Sequence, residues 1–183
     1  MSKTKYIILT SLFLIGLQLL TGCGTRGSIR KEYVRFMHSR ITFPEELIKI
    51  EDGVQERVHF ERSGRPLLIH YYGPDECSSC AVSHMQNDIK YLTMAQREGK
   101  FDFIVVMAPP EEDRDMVIRK AQEMALPLSI YIDDTYHFQS LEVIPPYPIM
   151  HYFLLGEKGS PIFIGPPFYD EKTRAQFQRR LGK

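Results

Sequence analysis

The chain has three cysteines and no tryptophan in 183 residues. Without a second Cys-x-x-Cys, a structural zinc site of four ligands cannot be assembled. Cys77, Cys80 and His84, spaced C-x2-C-x3-H, fall one ligand short, so no metal site is expected. Ala81, not His, follows Cys80, which excludes haem attachment. Neither sign of charge is in excess: Lys+Arg and Asp+Glu stand at 23 each, which leaves no footprint for nucleic acid. There is no internal repeat and no low-complexity segment. The one long apolar run, Tyr6 to Leu20, is interrupted by Gln18 and is shorter than the roughly 20 residues a spanning helix needs. What is present is ordinary for a globular core, 43% hydrophobic with 25% charged residues. The length suits one domain with a leader and a linker, and is short for two domains.

The apolar run belongs to a leader. Lys3 and Lys5 form a basic start, the run follows, and Leu20-Thr21-Gly22-Cys23 closes it. A secretory signal over residues 1–22 fits better than an uncleaved N-terminal helix. The last four residues resemble the bacterial lipoprotein signal, which implies that Cys23 becomes the acylated first residue. Acyl chains would then hold a soluble domain at a membrane. The expected location is the bacterial cell envelope, lipid-anchored and facing the periplasm. Gly24 stands where an Asp can mark inner-membrane retention, so which membrane carries the protein stays open.

Residues 23–45 read as a polar tether, Gly24 to Ser28, and a short helix carrying Ile29, Tyr33, Phe36 and Met37. Residues 46–183 read as the folded domain. Extended segments come first, up to a turn at Ser63-Gly64. Leu67 to Tyr72 is a continuous apolar and aromatic run, suited to a strand buried on both faces. After Gly73-Pro74-Asp75, a helix is predicted from the Cys-x-x-Cys to about Glu98, with Val82, Met85, Ile89, Leu92 and Met94 on its apolar side and Gly99 as its stop. Strands follow at 101–107 and 128–132, separated by a helix from Glu111 to Met124 with acidic residues in its first turn. Tyr152–Leu155 and Pro161–Gly165 form a hairpin about Gly156-Glu157-Lys158-Gly159, and 173–181 is a closing helix. The order is β-α-β-α-β, a hairpin, then α, which implies an α/β sandwich with a mixed central sheet.

With Cys23 taken by a lipid, Cys77 and Cys80 are left as one isolated pair. Two intervening residues let such a pair open and close as a dithiol or disulfide, and it falls at a strand-to-helix junction. A thiolate attacks a substrate disulfide, and a second thiol must lie close enough to resolve the mixed disulfide. This arrangement resembles the thioredoxin fold and, more narrowly, the exported TlpA-like thioredoxins tethered to membranes. The resemblance covers about residues 60–181. It rests on Leu67–Tyr72, on Cys77-Ser78-Ser79-Cys80, and on Tyr152 to Gly159 with Phe163-Ile164-Gly165-Pro166-Pro167. It implies that Cys77 attacks from a helix N-terminus while Cys80, less exposed one turn later, resolves. Electrons would pass through the cysteines themselves, so no bound cofactor is expected.

The chain departs from the family pattern at three places. Glu76 stands where a Trp usually precedes the first Cys. The acid often found on the preceding strand is absent, with His70 or Tyr71 near its place. The family's facing loop ends in a cis-Pro immediately before the next strand. Tyr147-Pro148 is the candidate for that bond, although counting back from Gly156 aligns Met150. Asp75 and Glu76 are like charges that would raise the Cys77 thiol, and no Lys, Arg or His lies between the cysteines. That favours the disulfide and suits a reductase. The expected partners are disulfides or thiols of exported proteins, with an upstream membrane dithiol donor. The other reading is a redox-inactive lipoprotein using the same fold as a binding module. His70 and His151 are read as hydrogen-bonded structural histidines, and His84 as a partly exposed helix residue.

Overall fold

The computed structural model describes residues 27–182, so the expected leader, the lipobox and Cys23 lie outside the described residues. Two compact units divide the chain, residues 1–35 and 36–183. Residues 27–37 are helical (α1). The unit that carries the cysteine pair starts at Phe36, ten residues before the boundary expected at 46, because Phe36 and Ile41 are themselves core residues. No helix among the described residues is long and apolar enough to cross a membrane.

In chain order the second unit contains β1 (Leu47–Glu51), β2 (Val54–Val58), β3 (Leu67–Tyr72), α2 (Ser78–His84), a 3-10 turn (Met85–Asp88) and α3 (Ile89–Glu98). Then come β4 (Asp102–Met107), α4 (Glu111–Met124), β5 (Ile130–Ile132), α5 (His137–Ser140), a second 3-10 turn (Pro148–Met150), β6 (Tyr152–Leu155), β7 (Pro161–Ile164) and α6 (Glu171–Leu181). The seven strands make one mixed sheet in the order β2-β1-β5-β4-β3-β6-β7. β3, β4 and β5 run parallel, and β6 pairs antiparallel with β3 on its other side. All six residues of β3 are buried, as a continuous apolar run inside a sheet covered on both faces requires. The β1–β2 hairpin, which extends the sheet by antiparallel pairing of β1 with β5, closes through Asp52-Gly53, both at positive φ. That is the backbone a two-residue hairpin loop needs.

The alternation along β3 splits the core into two layers. Leu68 and Tyr72 pack with Val82 and Met85 beneath α2, α3 and α4, while Leu67, Ile69 and Tyr71 pack with Phe36, Ile41 and Phe138 on the opposite face. The turn after β6 closes on the start of the domain. Gly159 accepts a hydrogen bond from Ile41 N–H at 2.9 Å, and a Cβ there would meet the Ile41 carbonyl oxygen at 3.0 Å. Its φ of +82° also favours glycine.

The helix predicted as continuous from the cysteines to Glu98 is broken by the 3-10 turn at Met85–Asp88. Apolar spacing runs through the break, since Val82, Met85 and Met94 are all buried, so periodicity alone does not reveal it. The break has a consequence: Asp88, on the same turn, is fully buried.

Candidate active site

β3 ends at Tyr72, and the chain reverses through Gly73-Pro74-Asp75-Glu76. Two hydrogen bonds clamp this turn: Glu76 N–H donates to the Gly73 carbonyl at 3.2 Å, and Gly73 N–H donates to Glu76 Oε1 at 3.0 Å. Cys77 then occupies the cap position of α2, and its carbonyl accepts from Ala81 N–H at 2.8 Å. Cys77 and Cys80 form a disulfide, with Cα atoms 5.3 Å apart, inside the ordinary range for such a bridge.

Both cysteines are exposed. The reason lies in the facing of α2. Ala81, Val82 and Met85 turn into the core, which leaves Cys80 and Ser83, one turn apart, on the outer side.

On one face of the sheet, the antiparallel register of β3 with β6 continues one residue past the strand. Tyr71 N–H donates to the His151 carbonyl at 2.9 Å, and directly opposed residues of such a pair share a face. The buried His151 ring thereby reaches the turn before Cys77. Its Nδ1 lies 2.8 Å from Glu76 Oε1, and its Nε2 lies 2.8 Å from the Pro145 carbonyl oxygen. Burial pushes the Glu76 carboxyl up. The hydrogen bonds from His151 and Gly73 N–H, with the charges of His151 and His70, more than offset this and hold it below the usual carboxylate range.

A cavity of about 330 Å³ opens beside this pair, walled by Tyr71, Asp75, Glu76, Phe138, Pro145 and Pro148 among others. The Tyr71 hydroxyl is buried against it without a hydrogen-bond partner, and burial, followed by the negative charges of Asp133, Glu76 and Asp75, pushes the phenol well up. An unsatisfied buried hydroxyl costs stability, so Tyr71→Phe is expected to leave the protein as stable or to stabilise it by about 1 kcal/mol in denaturant melts. A clear loss of stability in that variant would show that the hydroxyl has a partner.

On the other face, His70 Nδ1–H donates to the buried Asp88 Oδ2 at 2.8 Å, and Tyr152 O–H donates to Asp88 Oδ1 at 2.8 Å. The His70 ring stacks on Tyr152 with centroids 3.7 Å apart, and the Tyr72 ring lies at 4.1 Å. Burial first, then the Asp88 charge, pushes the phenols of Tyr72, Tyr91 and Tyr152 well above their ordinary value. A buried acid is therefore present after all, delivered by the 3-10 turn and not by the preceding strand. No motif in the sequence marks it. The pairing of Glu76 with His151 is equally silent there.

The Tyr147-Pro148 bond is trans, since no cis peptide bond occurs among the described residues; this corrects the expected cis-Pro loop. Pro148 instead opens a 3-10 turn, where a fixed φ and a missing N–H are tolerated, and Met150 N–H donates back to the Tyr147 carbonyl at 2.8 Å. His151 is the residue immediately before β6. His84 is exposed on α2. Among the described residues no group of three or more His, Cys, Asp or Glu is placed to hold a metal ion.

A mixed sheet with three parallel strands, an antiparallel hairpin at each edge, helices on its faces and a cysteine pair where the first parallel strand meets its helix defines a thioredoxin-like α/β domain. No family model and no curated protein matches the chain. Among solved structures, the chain is similar to AhpC from Enterococcus faecalis at 14% identity, over 81% of this chain and 96% of that one, with a TM-score of 0.50. It is also similar to the exposed lipoprotein thioredoxin of Streptococcus pneumoniae (15% identity, 73% and 98% covered, TM-score 0.47). StoA from Bacillus subtilis is similar at 19% identity, with 61% and 82% covered and a TM-score of 0.45. At 14% identity the likeness to AhpC speaks to the fold alone.

Proposed function

We propose that this protein is a membrane-tethered thiol-disulfide oxidoreductase that acts through Cys77 and Cys80 on disulfides of exported proteins, with a lipid on Cys23 as its tether. The observation that carries the reading is the exposed Cys77–Cys80 disulfide at the start of α2, following a turn that lines an open cavity. In the reducing direction, the Cys77 thiolate attacks one sulfur of a substrate disulfide, and the substrate bond breaks. The released thiolate takes a proton from solvent. The Cys80 thiolate then attacks Cys77 sulfur, closing the intramolecular disulfide and releasing the second substrate thiol. The substrate gains two electrons and the protein loses two, so a dithiol donor must reduce the pair before the next turnover. The reducing direction is favoured by the absence of Lys, Arg or His between the cysteines and by Asp75 nearby.

The test is exchange with dithiothreitol and with a model disulfide, followed by mixed-disulfide trapping on the Cys80→Ser protein. Reversible exchange and a trapped adduct on Cys77 are expected. A pair that never exchanges would end the enzymatic reading. A redox titration giving a potential near about −120 mV, that of a strong oxidant, would overturn the reducing direction alone.

A further inference from the structure

Glu76 immediately precedes Cys77, and taken alone its carboxylate is a like charge that opposes the thiolate. The structure does not leave it alone. Both ring nitrogens of the buried His151 face oxygen atoms. A carbonyl oxygen only accepts, so Nε2 must carry hydrogen to bond Pro145 at 2.8 Å. Glu76 is held as a carboxylate by the hydrogen bonds to its Oε1, a carboxylate only accepts, and Nδ1 must therefore carry hydrogen to bond it at 2.8 Å. A ring that donates from both nitrogens is an imidazolium.

We propose that the Glu76–His151 ion pair sets the charge beside Cys77, with His151 cancelling Glu76 so that the thiolate forms next to a neutral pair. His151 is thus a positioning and tuning residue that acts through Glu76 and regulates how readily Cys77 ionises. The inference deepens the oxidoreductase reading and rests on Cys77 being the attacking thiol. The other groups around the ring are few. Tyr71 lies edge-on from β3, with ring centroids 5.5 Å apart. Asp75 lines the same cavity, Asp133 acts on Tyr71, and His70 adds positive charge near Glu76. None of these replaces His151, because it is the group bonded to the Glu76 carboxylate from across the cavity.

The experiment measures the rate of iodoacetamide alkylation at Cys77, located by peptide mass spectrometry, in the reduced full chain carrying Cys80→Ser. His151→Gln leaves Glu76 uncompensated, and alkylation near neutral pH should slow by about 3- to 10-fold, as expected for a neighbouring charge acting on a thiolate. Glu76→Gln keeps the shape and the Oε1 acceptor while removing the charge. At about pH 6, where a free imidazole is still largely protonated, it should speed alkylation by a similar factor. The double variant, neutral again, should return close to the starting rate.

Shifts of the same direction in both single variants, or a double variant that stays as slow as His151→Gln, would overturn the proposal, since a merely structural role predicts either. Nitrogen-15 NMR of the unaltered protein at about pH 6 gives a measurement free of substitutions: both His151 ring nitrogens should bear hydrogen, and a neutral ring would overturn the pair. Alkylation requires no disulfide exchange. A chain that fails to exchange with dithiothreitol yet shows these shifts loses its enzymatic reading and keeps this one.

Discussion

Replacing Cys77 with serine is expected to abolish disulfide exchange, by roughly 10³-fold or more, the scale on which enzymes fall when the nucleophile itself is removed. A serine hydroxyl is not ionised near neutral pH and forms no bond to sulfur that a second thiol can resolve, so no intermediate accumulates. Cys80→Ser is expected to behave differently: Cys77 still attacks, the mixed disulfide forms, and the protein is held as a covalent one-to-one adduct. The asymmetry between the two variants is the content of the prediction. Both cysteines are exposed residues, and the cap position of Cys77 and its neighbour Glu76 distinguish it. Adduct mass by electrospray after incubation with a model disulfide is the measurement. Trapping by Cys77→Ser and not by Cys80→Ser would reverse the two roles. Surface serines in place of surface cysteines alter little buried area, so far-UV circular dichroism should remain that of the parent chain.

The fold was readable in the sequence wherever a single segment carries its own signal. Leu67–Tyr72 announces a strand buried on both faces by being apolar throughout, and all six residues are buried. The acidic first turn of α4 and the Gly156–Gly159 turn between β6 and β7 are equally local, and each is where it was expected. What could not be read are pairings between distant residues. Glu76 and His151 lie 75 positions apart, and in sequence Glu76 is only a negative charge beside a cysteine. Its partner removes that opposition, because a carboxylate bonded to an imidazolium no longer opposes the thiolate as a bare one does. The antiparallel pairing of β1 with β5 is of the same kind. So is Asp88, an unremarked residue in a segment whose apolar spacing reads as uninterrupted helix. Tyr147-Pro148 failed for a different reason. The resemblance fixes that a loop precedes the strand, but the backbone there makes a 3-10 turn, which sets Pro148 too early and gives the last place before β6 to His151.

Asp88→Ala is expected to be the most destabilising single change near the site, at about 2–4 kcal/mol, the cost of leaving more than one buried donor without its acceptor. Asp88 is completely buried and accepts from His70, from Tyr152 and, at 3.5 Å, from Tyr72, so the truncation leaves these donors without their acceptor. Asp88→Asn retains the shape and one acceptor oxygen, and should cost less, about 1–3 kcal/mol. Urea melts check both, through a lower midpoint at unchanged slope. A loss below about 1 kcal/mol for Asp88→Ala would mean that water reaches the cluster and satisfies the orphaned groups. The consequence extends to the chemistry because of where the partners sit. His70 is on β3 and Asp88 ends the segment that begins with α2, so their bond ties together the strand and the helix between which the Gly73–Cys77 turn is strung. On the opposite face, the Glu76–His151 pair ties the same turn to the entry of β6. The turn before Cys77 is thus held from both faces by side-chain hydrogen bonds, and cutting the Asp88 tie should raise amide exchange first in α2, ahead of β4 at the centre of the sheet.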